Sequence, residues 1–471
     1  MTNYSLAEIL HPQSIAVAGA TPGGRRGPDF VETLIGLGFK GKIFPVNPSY
    51  PEVDGLKCYP TLMDFPDPVD YVICAIPAKA VPGLIDDCTR KGVKAIHIYT
   101  GRFGETGRPD EVELEQEVLR RAKKGGVRII GPNCMGVYHP KQGMGWSEDF
   151  STEPGTVGMA FQSSYAAHDF INMVMPRGIR FSKVIGFGNA TDFNESDYLD
   201  YLSSDPETKI ILMYIEGVKD GRRFLATLRK AAATKPVVII KGGKGAAGTR
   251  AAASHTASLA GSREVWETVI TQAGAFSANS LEELMDLAVS FHFLPPIKRN
   301  HVGIAGSGGG PSVIAADLCE EAGLNVVPIP VDMREELKSK NIPIWDWLGN
   351  PVDMSMTGGA VGAGDMLRLF ADSPDFDFLI AIMGEPHYKK RQQSLTADAF
   401  LQRFGLDGLR KPLLAIVPDK SMRVNDYEDH YARLFAEIRT KLIDSKIPVY
   451  PTMGRAACAV KKLITYYQKR P

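Results

Sequence analysis

An apolar run leads directly into a glycine-rich turn at SIAVAGATPGGRRG, residues 14–27. The small and β-branched side chains of Ser14–Ala18 predict a buried strand, and a helix is expected from near Pro28. Glycines in the turn let the backbone approach a ligand closely, and free amides at a helix start attract phosphate. The stretch therefore predicts a strand–loop–helix unit with a phosphate site, and an ordinary βα turn is the alternative.

The same alternation of strand and helix continues along almost the whole chain. Apolar strand patterns at 69–76, 93–99 and 127–130 are separated by amphipathic stretches such as Pro109–Lys124. This order is typical of parallel βαβ units with helices on both faces of a sheet. With 471 residues, the chain has room for about three domains of roughly 150 residues each.

The domain boundaries follow from breaks in this pattern. The alternation restarts after residue 150, and the segment LPPIKRN (294–300) is a predicted linker because its paired prolines cannot continue a helix. We therefore predict domains over residues 1–150, 151–295 and 300–471. The second and third resemble each other, since each opens with a strand that runs into a small-residue turn. The predicted fold class is α/β, with a Rossmann-like domain followed by two flavodoxin-like domains.

Composition excludes several classes of function. Lys and Arg together number 54, as do Asp and Glu, so no bulk charge favours nucleic acid or an anionic membrane. The start, MTNYSLAEIL, lacks the features of a signal peptide, and no apolar run approaches the ~20 residues of a membrane span. The six cysteines are scattered without a CxxC pair, which favours buried free thiols. We expect a cytoplasmic protein with no metal site, membrane anchor or nucleic-acid partner.

Coenzyme A suits the first loop better than a nicotinamide dinucleotide does. The loop lacks the GxGxxG motif, and the strand predicted at Gly41–Val46 ends in Asn47-Pro48, where a nicotinamide site needs an acid to hold the ribose. Basic residues lie nearby in sequence instead, namely Arg25, Arg26, Lys40 and Lys42. A nucleotide with a pyrophosphate and a 3′-phosphate matches this charge.

A second loop of small residues carries a single histidine. It reads KGGKGAAGTRAAASHTASLAG over residues 241–261 and follows a predicted strand. Such a loop has little bulk to bury, and an imidazole nitrogen is a competent nucleophile near neutral pH. Two interpretations of His255 remain open from these residues: a phosphate acceptor, or an incidental histidine on a surface loop. His97 lies in a strand pattern and is interpreted as a core residue.

The segment SHTASLAG, residues 254–261, resembles the phosphohistidine loop of ADP-forming acyl-CoA synthetases, which are relatives of succinyl-CoA synthetase. Further matches to that family follow in chain order. They are PVNP (45–48), AIPA (75–78), GPNCMG (131–136), GNATD (188–192), YIEG (214–217), GGPSVIAAD (309–317) and NPVD (350–353). The resemblance implies a CoA-binding domain, a histidine-bearing domain and an adjoining ligase domain.

The resemblance also implies a reaction in steps. Acyl-CoA and phosphate would give acyl phosphate and CoA, His255 would take the phosphoryl group, and a nucleoside diphosphate would receive it. Glu216 matches the glutamate that orients the histidine in the family, where a carboxylate on the far ring nitrogen fixes the tautomer. A helix-capping or ion-pairing surface glutamate is the alternative for Glu216.

Binding residues follow from the same resemblance. The expected phosphate-binding residues are Gln162, Ser163, Ser164, Ser254 and Thr256. The expected CoA-binding residues are Gly19, Ala20, Thr21, Gly23, Gly24, Arg25, Gly27, Lys42, Asn47, Pro48, Ile76, Pro77 and Asn133. This chain departs from the family's usual pattern at Ser164 and at Ala257, where the family usually has glycine. Neither departure removes a reacting group.

No stretch resembles an ATP-grasp module. The resemblance therefore implies a separate ATP-grasp subunit in a heterotetramer of two subunit pairs, with ATP or ADP and Mg²⁺ bound on that partner. The substrates would be CoA and a carboxylic acid, or the acyl-CoA. The alternatives are a non-catalytic CoA-binding regulatory protein of the same fold and a nicotinamide-dependent oxidoreductase, which the missing acid after the second strand disfavours.

Overall fold

The chain is an α/β protein in a computed structural model, which describes residues 4–24, 28–245, 247–248, 263–342, 344–357, 359–384, 395–419 and 426–470. It divides into two compact units, Met1–Leu284 and Met285–Pro471. The predicted fold class is confirmed, whereas the division into three domains stays a prediction. No helix in the described ranges is both long and apolar enough to cross a bilayer.

The strands are β1 Ser14–Ala18, β2 Lys42–Val46, β3 Glu52–Val53, β4 Leu56–Lys57, β5 Tyr71–Cys74, β6 Ala95–Ile98, β7 Arg128–Ile130, β8 Gly136–Tyr138, β9 Val157–Phe161, β10 Phe181–Gly186, β11 Ile210–Ile215, β12 Val237–Lys241, β13 Phe276–Ala278, β14 Val302–Ala305, β15 Phe378–Ile382, β16 Leu413–Ile416 and β17 Val449–Tyr450. The α-helices are Leu6–Ile9, Phe30–Gly36, Val81–Lys91, Pro109–Gly125, Ser164–Val174, Glu195–Ser204, Gly221–Thr234, Arg263–Ala273, Leu281–Phe293, Gly309–Glu321, Val331–Ser339, Ala363–Asp372, Ala397–Gln402, Asp426–Asp444 and Met453–Gln468.

The first sheet is parallel and has the order β2-β1-β5-β6-β7. Every residue of β1, β5 and β6 is buried, because helices cover both faces of such a sheet. Tyr59 forms an isolated parallel bridge to Val46, so it lies beside β2 where a Rossmann-like sheet has a further strand. The strand order reverses between β1 and β5, and ligands bind at the carboxyl ends of strands at such a reversal.

The second sheet has the order β13-β12-β11-β9-β10-β8, and its strands are parallel except for β8, which runs antiparallel to β10. Its five parallel strands follow the flavodoxin-like order, with the reversal between β9 and β11. Strand β8 precedes residue 150, so this sheet takes one strand from the segment that the sequence assigns to the first domain.

The third sheet belongs to the second compact unit and is parallel, with the order β14-β15-β16-β17. Asn325 forms an isolated parallel bridge to His301, next to the start of β14. In the second and third sheets, strands β9 and β14 each lead into a helix, at Ser164–Val174 and at Gly309–Glu321. This shared beginning is the similarity that the sequence predicts.

Candidate functional site

The turn after β1 lies where the order of the first sheet reverses. The N–H of Gly19 donates to the carbonyl of Val46 at 2.8 Å, and the φ angle of Gly19 is +92°. A Cβ atom on Gly19 would lie 2.7 Å from the carbonyl oxygen of Ala75. Asn47 Nδ2 donates to the carbonyl of Ala20 at 2.8 Å. The turn therefore requires glycine at its start and is fixed to the end of β2.

Most of the predicted CoA-binding residues meet at this edge of the sheet. A small cavity of about 30 Å³ there is lined by Val17, Gly19, Ala20, Thr21, Pro28, Asp29, Phe30, Val31, Ala75 and Tyr99. The 3₁₀ turn Pro22–Gly24 contains Gly23 and Gly24 and continues the loop. Pro48 follows Asn47, and Ile76 and Pro77 follow β5, where Ile76 accepts a hydrogen bond from Thr100 Oγ1 at 2.7 Å.

Lys42 is a correction to the predicted CoA set. It starts β2 and pairs with Ser14 at the amino end of β1, about 13 Å from the loop for strands of this length. Its ammonium lies 2.7 Å from Asp67 Oδ1. Its closeness in sequence predicts that Lys42 lies at the loop. Lys42 lies instead at the amino ends of the strands, whereas the loop lies at their carboxyl ends. Arg25 and Gly27 lie outside the described residues.

A larger cavity of about 260 Å³ lies between the first and second sheets of the first unit. It is lined by Tyr99, Gly101, Asn133, Cys134, Met135, Gln162, Ser163, Ser164, Tyr165 and Gly188. Residues 99–101 follow β6, residues 133–135 connect β7 to β8, residues 162–165 follow β9, and Gly188 follows β10. The structure thus brings Asn133 together with Gln162, Ser163 and Ser164, which the sequence places in different domains.

Two serines begin the helix that borders this cavity. Ser163 caps the helix Ser164–Val174, and its Oγ accepts from the N–H of Ala166 at 3.3 Å. Ser164 Oγ accepts from the N–H of Met135 at 2.9 Å, which links the helix start to the first sheet's loop. Each hydroxyl still has a proton to donate. Hydroxyl donors and the free amides of a first helical turn are groups that can hold an anion.

Gln162 connects the ends of β9 and β11. Its side chain is buried, and its Oε1 accepts from the N–H groups of Glu216 and Gly217, at 2.8 and 3.2 Å. Its own N–H donates to the carbonyl of Tyr214 at 2.9 Å. Gln162 therefore holds the turn that carries Glu216, in addition to lining the cavity.

Glu216 is buried, with 5% of its surface exposed, which excludes the surface alternative. Burial raises the pKa of Tyr214 to about 12, and the charge and hydrogen bond of Glu216 add to that effect. Lys241 Nζ donates to the carbonyl oxygens of Glu216, at 2.7 Å, and of Gly242. Burial lowers the pKa of Lys241, while the charge of Glu216 opposes this. A buried carboxylate held in this way can accept a hydrogen bond from an imidazole N–H.

Most of the histidine loop, residues 246 and 249–261, lies outside the described residues, and with it His255, Ser254, Thr256 and Ala257. Strand β12 ends at Lys241, and its carboxyl end lies beside that of β11, which carries Glu216. The loop therefore leaves the second sheet at the edge where Gln162 and Glu216 lie.

The loop that follows β10 is fixed to the first sheet by polar contacts. Asn189 Nδ2 donates to Glu105 Oε2 at 2.6 Å and to Glu115 Oε2 at 2.8 Å. Arg128 Nε donates to Asp192 Oδ2 at 2.8 Å, and both side chains are largely buried. These contacts hold one wall of the 260 Å³ cavity in place. They are made by Asn189 and Asp192 of the segment GNATD (188–192).

Sequence reasoning missed four residues around the site. Tyr99 and Lys241 each lie at the carboxyl end of a strand, which is a signal that could have found them. Tyr165 follows the two serines directly, and Tyr214 lies two residues before Glu216. His97 is confirmed as a core residue, because it is 1% exposed and its Nε2 lies 2.9 Å from the carbonyl oxygen of Cys134.

Comparisons with known proteins agree with this arrangement. A CoA binding domain matches residues 13–140, and a succinyl-CoA ligase like flavodoxin domain matches residues 154–291. The chain is 32% identical over 467 residues to the ADP-forming acetate–CoA ligase I subunit alpha of Pyrococcus furiosus, an overlap of 98% of this chain and 97% of that protein.

Two further similar proteins differ in how much of their own length this chain covers. The chain is 34% identical over 380 residues to the ADP-forming acetate–CoA ligase I of Archaeoglobus fulgidus, an overlap of 80% of this chain but only 55% of that longer protein. The solved acetyl-coenzyme A synthetase 1 of Ca. Korarchaeum cryptofilum, in complex with phosphate and ADP, has 29% identity and a TM-score of 0.82, with 99% of both chains covered.

Proposed function

The chain belongs to the ADP-forming acyl-CoA synthetase family, and we propose that it acts as an alpha subunit that forms acyl phosphate from acyl-CoA and transfers the phosphoryl group to His255. The observation that carries this proposal is the convergence of two features at the strand reversal of the second sheet. There the Ser163–Ser164 helix start and the buried Glu216 meet through Gln162.

The first step is phosphorolysis of the thioester. A phosphate oxygen attacks the acyl carbonyl carbon, the C–S bond breaks, and CoA leaves as the thiol after taking a proton. The hydroxyls of Ser163 and Ser164 and the amides of the helix start bind the phosphate. The pyrophosphate of CoA binds at the Gly19–Gly24 turn, where Asn47 fixes the loop.

The second step transfers the phosphoryl group to the protein. A ring nitrogen of His255 attacks phosphorus, the bond from phosphorus to the acyl oxygen breaks, and the carboxylate leaves. Glu216 accepts a hydrogen bond from the other ring nitrogen and stabilises the positive charge of the phosphorylated ring.

Completion of the cycle requires a nucleoside diphosphate. The P. furiosus relative is named as an alpha subunit, which supports a second subunit for this chain as well. We assign ATP, ADP and Mg²⁺ to a separate ATP-grasp subunit, in an assembly of two subunit pairs in the cytoplasm. Five of the six cysteines are buried free thiols, which suits a reducing compartment.

The first step can be tested on this chain alone with arsenate in place of phosphate. An acyl arsenate hydrolyses spontaneously, so each turnover releases one CoA thiol without a partner or a nucleotide. We expect thiol release from acyl-CoA that depends on arsenate. Binding of CoA without any release would contradict the proposal and would favour the non-catalytic alternative.

The nicotinamide-dependent alternative finds no support at the first loop. The residue at the end of β2 is Asn47, and its side-chain amide already bonds Ala20 and Ser49. Residues 47–51, which follow β2 directly, include no acid that could hold a ribose. Reduction of a nicotinamide by an acyl-CoA substrate would revive this alternative.

A further inference from the structure

Tyr214 and Glu216 lie on the same face of the second sheet. Tyr214 belongs to β11, and Glu216 follows that strand directly. The hydrogen-bond ladder continues past the end of the strand, since the N–H of Gly242 donates to the carbonyl of Ile215 at 2.9 Å. Side chains two residues apart along such a ladder project to the same side. The phenol ring of Tyr214 is therefore a neighbour of the Glu216 side chain.

Gly242 leaves room for these two side chains to approach each other. A Cβ atom on Gly242 would lie 2.6 Å from the hydroxyl oxygen of Tyr214 and 3.2 Å from Cγ of Glu216. Both distances are shorter than the roughly 3.5–4.0 Å at which non-bonded atoms attract each other. The hydroxyl of Tyr214 and the side chain of Glu216 thus converge on the space that a larger residue at position 242 would fill.

The ring of Tyr214 is held in this position, and its hydroxyl can act as a donor. Tyr214 pairs with Phe161 of β9, and the two ring centroids are 5.8 Å apart with 38° between the planes. Burial raises the pKa of Tyr214 to about 12, and the charge and hydrogen bond of Glu216 contribute to the rise. The phenol therefore keeps its proton near neutral pH and can donate it to a carboxylate oxygen.

We propose that the Tyr214 hydroxyl donates a hydrogen bond to the Glu216 carboxylate and positions it for the imidazole of His255. Gln162 and Lys241 hold the backbone of Glu216, through its N–H and its carbonyl. Backbone hydrogen bonds do not set the rotation of a carboxylate, whereas a bond from the phenol does. Such a bond also favours the charged form of the carboxylate, which is the form that stabilises a phosphorylated ring. Tyr214 is therefore a positioning residue, which acts on the reaction only through Glu216.

This inference rests on the proposed function, and two assays on the full chain separate them. One measures arsenate-dependent release of CoA, and the other measures the rate at which radiolabelled phosphate enters the protein, both with the thioester that is cleaved fastest with arsenate. In Tyr214→Phe, which keeps the ring, the maximal labelling rate should fall about 10-fold. The phosphate concentration for half-maximal labelling and the release of CoA should stay unchanged. In the Glu216→Gln background, Tyr214→Phe should change the rate by less than about 2-fold, because the charged acceptor is already absent.

The matched control is Tyr198→Phe, since Tyr198 is fully buried in the same unit and its hydroxyl has no hydrogen-bond partner among the described residues. This variant should be labelled at the unchanged rate. An unchanged labelling rate in Tyr214→Phe, an equal fall in both assays, or a further loss of about 10-fold in the Glu216→Gln background would overturn the inference and leave the proposed function standing. Absence of CoA release or of labelling in the unchanged protein would overturn the proposed function, and the inference with it.

Discussion

The two helices that follow β9 in the second sheet and β14 in the third sheet begin in different ways. After β9, Ser163 caps the helix with its hydroxyl and Ser164 accepts from the N–H of Met135. After β14, Gly308 occupies the cap position without a side-chain hydrogen bond. A Cβ atom on Gly309 there would lie 2.7 Å from Asp353 Oδ2, so a carboxylate already lies against that helix start.

This difference shows that topology supplies the helix start and that side chains decide what it binds. The strand next to β9 continues into Glu216, which Gln162 holds in place. The strand next to β14 ends at Ile382 and continues into the buried Met383 and the exposed Gly384. Glu385 lies outside the described residues. An aspartate at a helix start occupies the position that an anion would take. We therefore assign the phosphoryl chemistry of this chain to the first of the two helix starts.

The largest effect is expected for Glu216→Gln, which removes the carboxylate that distinguishes the first helix start. The rate at which labelled phosphate from acyl-CoA and phosphate enters the protein should fall about 10³-fold, since the other imidazole nitrogen loses a charged acceptor. Rapid quench with radiolabelled phosphate measures this rate. Glu195→Gln is the matched control, because Glu195 is another buried glutamate, and the amide that replaces it still accepts from the N–H of Lys219. Equal rates in Glu216→Gln and the unchanged protein would remove Glu216 from the mechanism.

Acid should destabilise the unit that carries the first helix start. Burial lowers the pKa of His97 from 6.5 to about 4. Between these values the unfolded chain binds a proton that the folded chain does not, so stability is greatest above pH 6.5 and falls as the pH drops to 4. The difference between the two pKa values corresponds to about 3 kcal/mol. Urea titrations at several pH values measure this loss.

His97→Gln provides the comparison for that experiment. The glutamine amide can donate to the carbonyl of Cys134 as His97 does, but it does not titrate. Its stability should therefore depend less on pH below 6.5. His139, which is also buried and whose pKa is lowered to about 4, still contributes in both proteins. An identical pH dependence of the two proteins would count against the assignment to His97.

A smaller effect is expected for Gln162→Met, which keeps the shape of the side chain and removes its acceptor. The buried N–H groups of Glu216 and Gly217 then lose their partner, which should lower the free energy of unfolding by about 1–3 kcal/mol. The displaced Glu216 should slow protein labelling about 10-fold. Gln13→Met, at an exposed position, serves as the control and should change neither quantity. An unchanged labelling rate in Gln162→Met would show that Gln162 does not position Glu216.

The sequence predicts the strands and helices well because buried parallel strands are continuously apolar. The strands predicted at 14–18, 93–99 and 127–130 are all observed, and the helix predicted at Pro109–Lys124 ends one residue later. Loops at the carboxyl ends of these strands were also predicted, because the strand–loop–helix order fixes where ligands bind.

Contacts between distant residues could not be predicted from the sequence. Gln162 and Glu216 are 54 positions apart, and only the pairing of β9 with β11 makes them neighbours. Tyr99 and Tyr165 line the same cavity because the first and second sheets pack together, and no local pattern carries that information. The prediction for Lys42 is wrong for the converse reason. Nearness in sequence does not show at which end of a strand a side chain lies.

The smallest effect is expected at the second helix start. Asp353→Asn keeps the size of the side chain and removes its charge next to Gly309. If phosphate binds only at the first helix start during the acyl-CoA step, arsenate-dependent CoA release should be unchanged. A large loss of CoA release, with unchanged stability, would mean that both helix starts take part in that step. It would contradict the assignment of phosphate binding to the first helix start alone.

The most direct test of the central claim is the position of the phosphate on the protein. The chain is incubated with acyl-CoA and radiolabelled phosphate, digested, and the labelled peptide is sequenced by mass spectrometry under alkaline conditions. We predict one label, stable in base and labile in acid, on His255 and absent from His255→Ala, while that variant still releases CoA with arsenate. A label on another residue, or equal labelling of His255→Ala, would contradict the account.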